Sequence, residues 1–214
     1  MLLKTDRFSV RKYEADRAKE ADLSADGYVI CRIDVLDAPF AVELLRKGFR
    51  FLDRVLFYEI AAGSVKDIDT QFMKDIRFIC DTEPDAQVFE LASNAYTTDR
   101  RFHLDPVFDR DRAGVVLKAY IDHYAQKGVK VYKAFHGDEL LGFTVVDETA
   151  DEKGVYFENV LGATMPGIRG KMIAAPLYSY MISSESARFR KYMGVVSASN
   201  AASINLHSQL GGVV

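Results

Sequence analysis

Residues 167–182 read GIRGKMIAAPLYSYMI, a basic, glycine-bearing turn that runs into an apolar helix. That order suits an anion. The first N–H groups of a helix have no partner within it and the dipole is positive at that end, so a pyrophosphate sits well there. Arg169 and Lys171 would add charge-assisted hydrogen bonds. A helix start with no ligand is the plain alternative. Three further groups could do chemistry. His207 lies in a short C-terminal helical segment, where an imidazole can pass a proton near neutral pH. Glu158 lies in the strand-like run GVYFENVLGAT, where burial would raise its carboxyl pKa and make it a base. A half-exposed strand carboxylate with no role is the alternative. Arg100, Arg101, Phe102 and His103 form a basic run within a loop-like segment, which can also be a solvated turn.

The elements that must position these residues alternate between strand and helix. YVICRIDV (28–35) is β-branched and apolar, a buried strand. A helix follows over DAPFAVELLRKGF, capped by Asp37 and stopped at Gly48, and then a second strand over FLDRVLFYEI. The polar stretch AAGSVKDIDTQ marks a boundary, dividing residues 1–70 from 71–214. Beyond it come a strand at 75–81, a helix starting at Pro84, a loop over TTDRRFHLDPVFD and an amphipathic helix closed by Gly128. KVYKAFHGDELLGFTVVD reads as a hairpin about His136–Glu139. Strand 154–164 delivers the chain to the basic turn, and MGVVSAS and NAASINLHSQLGG give a last strand and helix.

Composition excludes several functions. Half the residues are hydrophobic (49%) and 28% are charged, which suits a folded α/β chain rather than a disordered one. A net charge of -3 argues against a general grip on nucleic acid. No apolar run approaches a membrane span and the first residues carry no long apolar segment, so the cytoplasm is the expected compartment. Cys31 and Cys80 stand singly in apolar runs and read as small core residues, with no metal-binding spacing.

The chain also repeats itself. Asp37 to Gly48 and Asn200 to Gly211 share one pattern of cap, short helix and glycine at the same spacing. The first copy continues into a strand, whereas the second ends at Val214. A sheet without that strand would leave a row of backbone groups unpaired. The expectation is that the N-terminal domain, a second subunit of a homodimer, or residues beyond Val214 supply it.

From Asp75 onward the order β-α-α-β-β-β-α-β-α resembles the GNAT superfamily of acyl-CoA-dependent N-acetyltransferases. Its phosphate motif, Arg/Gln-x-x-Gly-x-Gly/Ala, falls on Arg169, Gly170, Lys171, Met172, Ile173 and Ala174, with Met172 in place of the central glycine. The donors in such a motif are backbone N–H groups, which every residue but proline supplies. A second element, Asn-x-x-Ala/Ser-x-x-Leu-Tyr/His-x-x-x-Gly-Phe, falls on Asn200, Ser203, Leu206, His207 and Gly211, with Gly212 in the aromatic position. The resemblance implies a GNAT fold preceded by a partial GNAT-like domain, and acetyl-CoA as cosubstrate. It implies that backbone groups of Gly162 to Thr164 bind the pantetheine arm, beside Asn200 and Ser203. His207 would then protonate the departing thiolate and Glu158 would deprotonate the amine. The Arg100–His103 loop and the repeated N-terminal half resemble the nucleotide-amino-sugar N-acetyltransferases of that superfamily, which implies a small-molecule amine such as a nucleotide-linked 4-amino sugar. A small amine, a protein N-terminus, or acyl-CoA binding without turnover are the competing functions.

Overall fold

A computed structural model describes residues 2–4, 9–13, 28–65, 75–95, 110–152, 154–168 and 173–214. In chain order the elements are β1 (Leu2–Lys4), β2 (Ser9–Tyr13), β3 (Tyr28–Cys31), α1 (Ala38–Arg46), β4 (Val55–Ala61), β5 (Ile76–Asp81) and α2 (Ala86–Ala95). They continue with α3 (Arg110–Ala125), β6 (Lys130–His136), β7 (Glu139–Asp151), β8 (Gly154–Thr164), α4 (Ala174–Ser184), β9 (Lys191–Ser197) and α5 (Ala201–Gln209). Strands β1–β3 form one small sheet, and the other six form a second in the order β4-β9-β8-β7-β6-β5. All neighbours in the larger sheet are antiparallel except β8 and β9.

Alternation along these strands gives the sheet two apolar faces, as expected when helices cover both sides. Val131, Phe135, Phe143, Val145 and Leu161 pack with Val88 and Leu91 of α2 and Val116, Leu117 and Ile121 of α3. On the other face Tyr132, Ala134, Val146, Phe157 and Tyr192 pack with Leu177, Met181 and Ile182 of α4 and with Leu210 just after α5. One charge is buried between layers. Lys133 on β6, only 2% exposed, places its ammonium 2.7 Å from both Asp81 and Asp85. Asp85 also caps α2 by accepting from Val88 N–H at 3.0 Å, so one ion cluster joins β5, β6 and the start of α2. The cap is therefore Asp85, and Pro84 stands just before it.

The repeat is visible in three dimensions. Asp37 Oδ1 accepts from Phe40 N–H at 3.3 Å and Asn200 Oδ1 from Ser203 N–H at 3.1 Å. Each cap opens a helix of nine residues, and each helix ends near a glycine in the left-handed region, Gly48 at φ 89° and Gly211 at φ 87°. The strand that follows the first copy does not stay with β1–β3. It is β4, which pairs with β9 from Val55–Ser197 to Ala61–Lys191 and takes the place left open after the second copy. The two residues after Gly211 then bring Val213 onto the outer edge of β4, where it exchanges both backbone hydrogen bonds with Glu59 at 2.8 and 3.0 Å. Gly212 fits because Tyr58 of β4 already fills that space: a Cβ at Gly212 would lie 2.7 Å from the His207 carbonyl and 3.0 Å from the Tyr58 ring.

Three expectations change. The buried strand expected over 28–35 ends at Cys31, and Val35 is exposed. Residues 51–54 are not strand, and Phe51 is exposed. Cys80 is exposed rather than a core residue, on a strand that forms the sheet's edge. The loop expected over residues 97–109 lies outside the described residues. Among those described, no helix is long and apolar enough to cross a membrane.

Because β4 closes the sheet, its inward side chains are core residues. Ile60 is fully buried, so Ile60→Ala should cost about 2–5 kcal/mol in urea unfolding. Val42→Ala, on the exposed face of α1, should change stability by less than about 0.5 kcal/mol. Equal, small effects would show that β4 is not bound into the sheet.

Candidate functional site

Strands β8 and β9 pair through Tyr156–Lys191, Phe157–Tyr192 and Glu158–Met193, and the pairing ends there. Both strands continue, to Thr164 and Ser197, and they diverge. A cleft of about 780 Å³ opens between them. An irregularity in β8 coincides with the parting. Against β7, Val146 faces Asn159 while Val145 faces Leu161, which leaves Val160 as an extra residue. A bulge of this kind bends a strand and sharpens its twist. It also shifts the side-chain alternation, so Val160, Leu161 and Ala163 pack toward α2 and α3. Asn159 and Gly162 turn toward α4.

The cleft gathers several residues singled out in the sequence. Glu158, Gly162, Thr164, Ile173, Ala174, Asn200 and Ser203 all line it. Glu158 occupies the last paired position of β8, at the apex of the parting strands. Ile173 and Ala174 form the start of α4, where no side chain caps the helix. Among the described residues the first α4 carbonyl contact is Leu177 N–H to the Ile173 oxygen at 3.2 Å. Asn200 lines the cleft too, but its Oδ1 is engaged as the α5 cap. Arg169, Gly170, Lys171 and Met172 lie outside the described residues, as do Arg100, Arg101, Phe102 and His103. Among the described residues no three His, Cys, Asp or Glu side chains gather to hold a metal ion.

His207 is placed differently from what its motif implies. It is 2% exposed and lies behind the cleft wall rather than in it. Its Nδ1 lies 2.8 Å from the Ser203 carbonyl oxygen, which can only accept, so Nδ1 carries the proton. In the neutral ring Nε2 is then an acceptor, 3.5 Å from the Tyr192 hydroxyl. The rings of Tyr58, Tyr178 and Tyr192 surround it at 5.4, 5.7 and 6.0 Å between centroids. Burial pushes the imidazole pKa down, opposed by the Ser203 carbonyl. Space for the ring comes from Gly194 of β9, where a Cβ would collide with Nε2.

A polar chain leads from this histidine back to the cleft. Tyr192 hydrogen-bonds to Tyr178, whose hydroxyl accepts from Asn159 Nδ2 at 3.1 Å. Asn159 Nδ2 also donates to the buried Thr144 Oγ1 at 2.6 Å. Tyr178 and Asn159 line the cleft, and a Cβ at Gly162 would lie 2.7 Å from the Tyr178 hydroxyl. Two polar paths thus join His207 to the cleft, one through Tyr192 and Tyr178 and one through the Ser203 hydroxyl, 3.5 Å from Nδ1. Burial raises the pKa of both phenols, so each stays protonated in the neutral range. Sequence reasoning missed Tyr178 and Asn159 as site residues, although both adjoin motifs it singled out. It also missed Arg32 and Asp53, which reach the cleft from the N-terminal segment.

No family model and no curated protein matches the chain. Solved structures do. A tandem GNAT protein from the clavulanic acid biosynthesis pathway superposes with a TM-score of 0.54 at 14% identity, covering 85% of this chain and 56% of its own. A functionally unknown protein from Staphylococcus epidermidis gives 0.53 at 14% identity, covering 85% and 64%. A GCN5-related N-acetyltransferase from Kribbella flavida gives 0.52 at 13% identity, covering 82% and 60%. The chain thus spans less than two thirds of the length of each. The likeness establishes the α/β GNAT fold.

Two measurements follow from the buried histidine. Its lowered pKa means that the unfolded chain takes up a proton first as pH falls through about 6.5. The stability held at pH 7.5 should therefore decline toward pH 5.5, with His123, also lowered by burial, acting in the same sense. Urea midpoints at the two pH values should differ less in His207→Gln, and an unchanged difference would place the effect elsewhere. Gly194→Ala should cost about 1–3 kcal/mol by overpacking, and adding His207→Ala should recover part of that loss.

Proposed function

We propose that this chain transfers an acetyl group from acetyl-CoA to a primary amine by direct attack within a ternary complex. One observation carries the reading: the cleft between two parallel strands that part after Glu158 and Met193, with the uncapped start of α4 on its wall. Its volume and mixed lining suit a small ligand. The amides at Ile173 and Ala174, with Arg169 and Lys171 just before them in sequence, would hold the pyrophosphate. Backbone groups of Gly162 to Thr164 would take the pantetheine amides. Acetyl-CoA supplies an activated acyl carbon and a thiolate leaving group.

The chain's own residues then divide the remaining work. Glu158, at the apex, removes the proton from the acceptor ammonium, directly or through water. The amine lone pair attacks the thioester carbon, and the charge that grows on the carbonyl oxygen is met by β8 backbone N–H groups. As the C–S bond breaks, the thiolate takes a proton from the Tyr178 hydroxyl, the donor that stands in the cleft wall. His207 acts as a positioning residue, orienting Tyr178 through Tyr192. The Arg100–His103 segment argues for a nucleotide-linked 4-amino sugar as the acceptor, with the arginines pairing its diphosphate.

Acetyl-CoA should raise the melting temperature, since a ligand bound only by the folded state stabilises it by mass action. Arg169→Glu should abolish that rise. In a thiol-release assay against nucleotide amino sugars, polyamines and peptide N-termini, Glu158→Gln should lower kcat roughly 10²- to 10⁴-fold while the acetyl-CoA shift persists. A melting shift with no thiol release from any amine would leave an acyl-CoA-binding module in place of an enzyme.

A further inference from the structure

A side chain that gives up a proton leaves a charge behind, and a buried site must receive it. Tyr178 lines the cleft with only 7% of its surface exposed, and its hydroxyl meets three polar side chains. Asn159 Nδ2 donates to it at 3.1 Å, and the hydroxyls of Thr144 and Tyr192 are its other hydrogen-bond neighbours. The second amide hydrogen of Asn159 goes to the fully buried Thr144 Oγ1 at 2.6 Å, so both are committed. Burial raises the Tyr178 pKa, and the hydrogen bonds from Thr144, Tyr192 and Asn159 oppose that rise.

The bulge in β8 builds this arrangement. Strand residues three apart ordinarily point to opposite faces. The extra residue at Val160 puts Asn159 and Gly162 on one face, and both meet the Tyr178 hydroxyl. Thr144 stands opposite Gly162 on β7. A Cβ at Gly162 would lie 2.7 Å from the phenol oxygen and 3.3 Å from Thr144 Oγ1, so a side chain there would push the phenol away. In water a thiolate holds a proton less tightly than a phenolate, with pKa values of ~8.5 and ~10, so transfer from tyrosine to sulfur runs uphill. Burial steepens that climb by desolvating the phenolate. Donors already aimed at the oxygen offset it, because nothing has to reorganise as the charge appears. His207 cannot refill the phenol from behind, since its proton is on Nδ1 and its Nε2 is an acceptor.

Resting on the acetyl-transfer reading, we propose that Asn159, Thr144 and Tyr192 form a cradle for the Tyr178 phenolate and are positioning residues of the reaction. As the C–S bond breaks, the Tyr178 O–H bond breaks with it, an S–H bond forms, and the negative charge passes to the phenol oxygen. The three donors meet it there. Solvent returns a proton to the phenol once the products leave, and takes up the one that the base removed from the ammonium.

The test reads both the phenol and the rate. With fluorotyrosine in place of Tyr178, the fluorine resonance follows ionisation of that one ring. Its midpoint should lie about one to two pH units higher in Asn159→Leu and in Thr144→Val, each of which removes a donor to the phenolate. In thiol release from acetyl-CoA, with the amine that reacts fastest in the acceptor screen, both variants should lower kcat roughly 10- to 100-fold. The KM for acetyl-CoA should stay unchanged, because the cradle acts only as charge develops. Asn159→Asp keeps the shape but cannot donate, so it should lower kcat at least as far. In a Tyr178→Phe background none of these changes should lower kcat further, since they act through Tyr178. Unmoved midpoints, or kcat losses that persist in full in that background, would overturn the proposal. If Tyr178→Phe lowers kcat while Asn159→Leu and Thr144→Val do not, the cradle falls and Tyr178 remains the acid. If Tyr178→Phe keeps full kcat, the acid assignment falls and the cradle with it. No thiol release from any amine, whatever the midpoints, would sink acetyl transfer itself and the cradle's role in it.

Discussion

The parallel pairing of β8 with β9 lasts for three residue pairs and then ends, and the rest of the molecule is arranged around that parting. Parallel strands in a continuous sheet would satisfy each other's backbone groups along their whole length. Here the extra residue at Val160 bends β8, and a cleft replaces the ladder. Several described residues proposed to act lie along it: Glu158 at the apex, Gly162 to Thr164 on one wall, the start of α4, and the capped start of α5.

A sheet that gives up pairing in its middle needs secure edges. One half is a meander from β5 to β8, fixed by antiparallel pairing with an irregularity at Ala134/Phe135 and another at Val145/Val146, and by the buried ion cluster of Lys133 with Asp81 and Asp85. The other half is only β9 and whatever pairs with it. Strand β4 provides seven further residues of antiparallel register, and Val213 bridges to its outer edge. The same exchange brings Arg32 and Asp53 to the cleft, so the strand that secures the sheet also shapes the border of the cleft.

Behind the cleft, polar groups are buried in sequence rather than in isolation. Ser203, His207, Tyr192, Tyr178, Asn159 and Thr144 form a chain of donors and acceptors through the core. Each hydrogen bond offsets a desolvation cost that an unpaired group would leave uncompensated. The chain also fixes the tautomer of His207 while burial keeps the ring neutral, which suits a residue that orients a phenol better than one that must itself carry a proton into the cleft.

By itself the sequence determined the local elements. Asp37 and Asn200 are caps followed by short helices and glycines, and the alternation in 154–164 is strand, because caps and periodicity are properties of neighbouring residues. The matching spacing of the two cap–helix–glycine units also revealed a repeat, and with it a strand owed to β9. Which strand met that debt was decided only in three dimensions, because strand pairing joins residues far apart and depends on which edge is free. Tertiary structure likewise moved His207 behind the wall, since the absence of a side chain at Gly194, on another strand, admits its ring. It brought Arg32 and Asp53 to a cleft whose other charged residue, Glu158, lies more than a hundred positions away. No periodicity encodes such a meeting, because it arises from the geometry of a sheet closed by a strand from the other end of the chain.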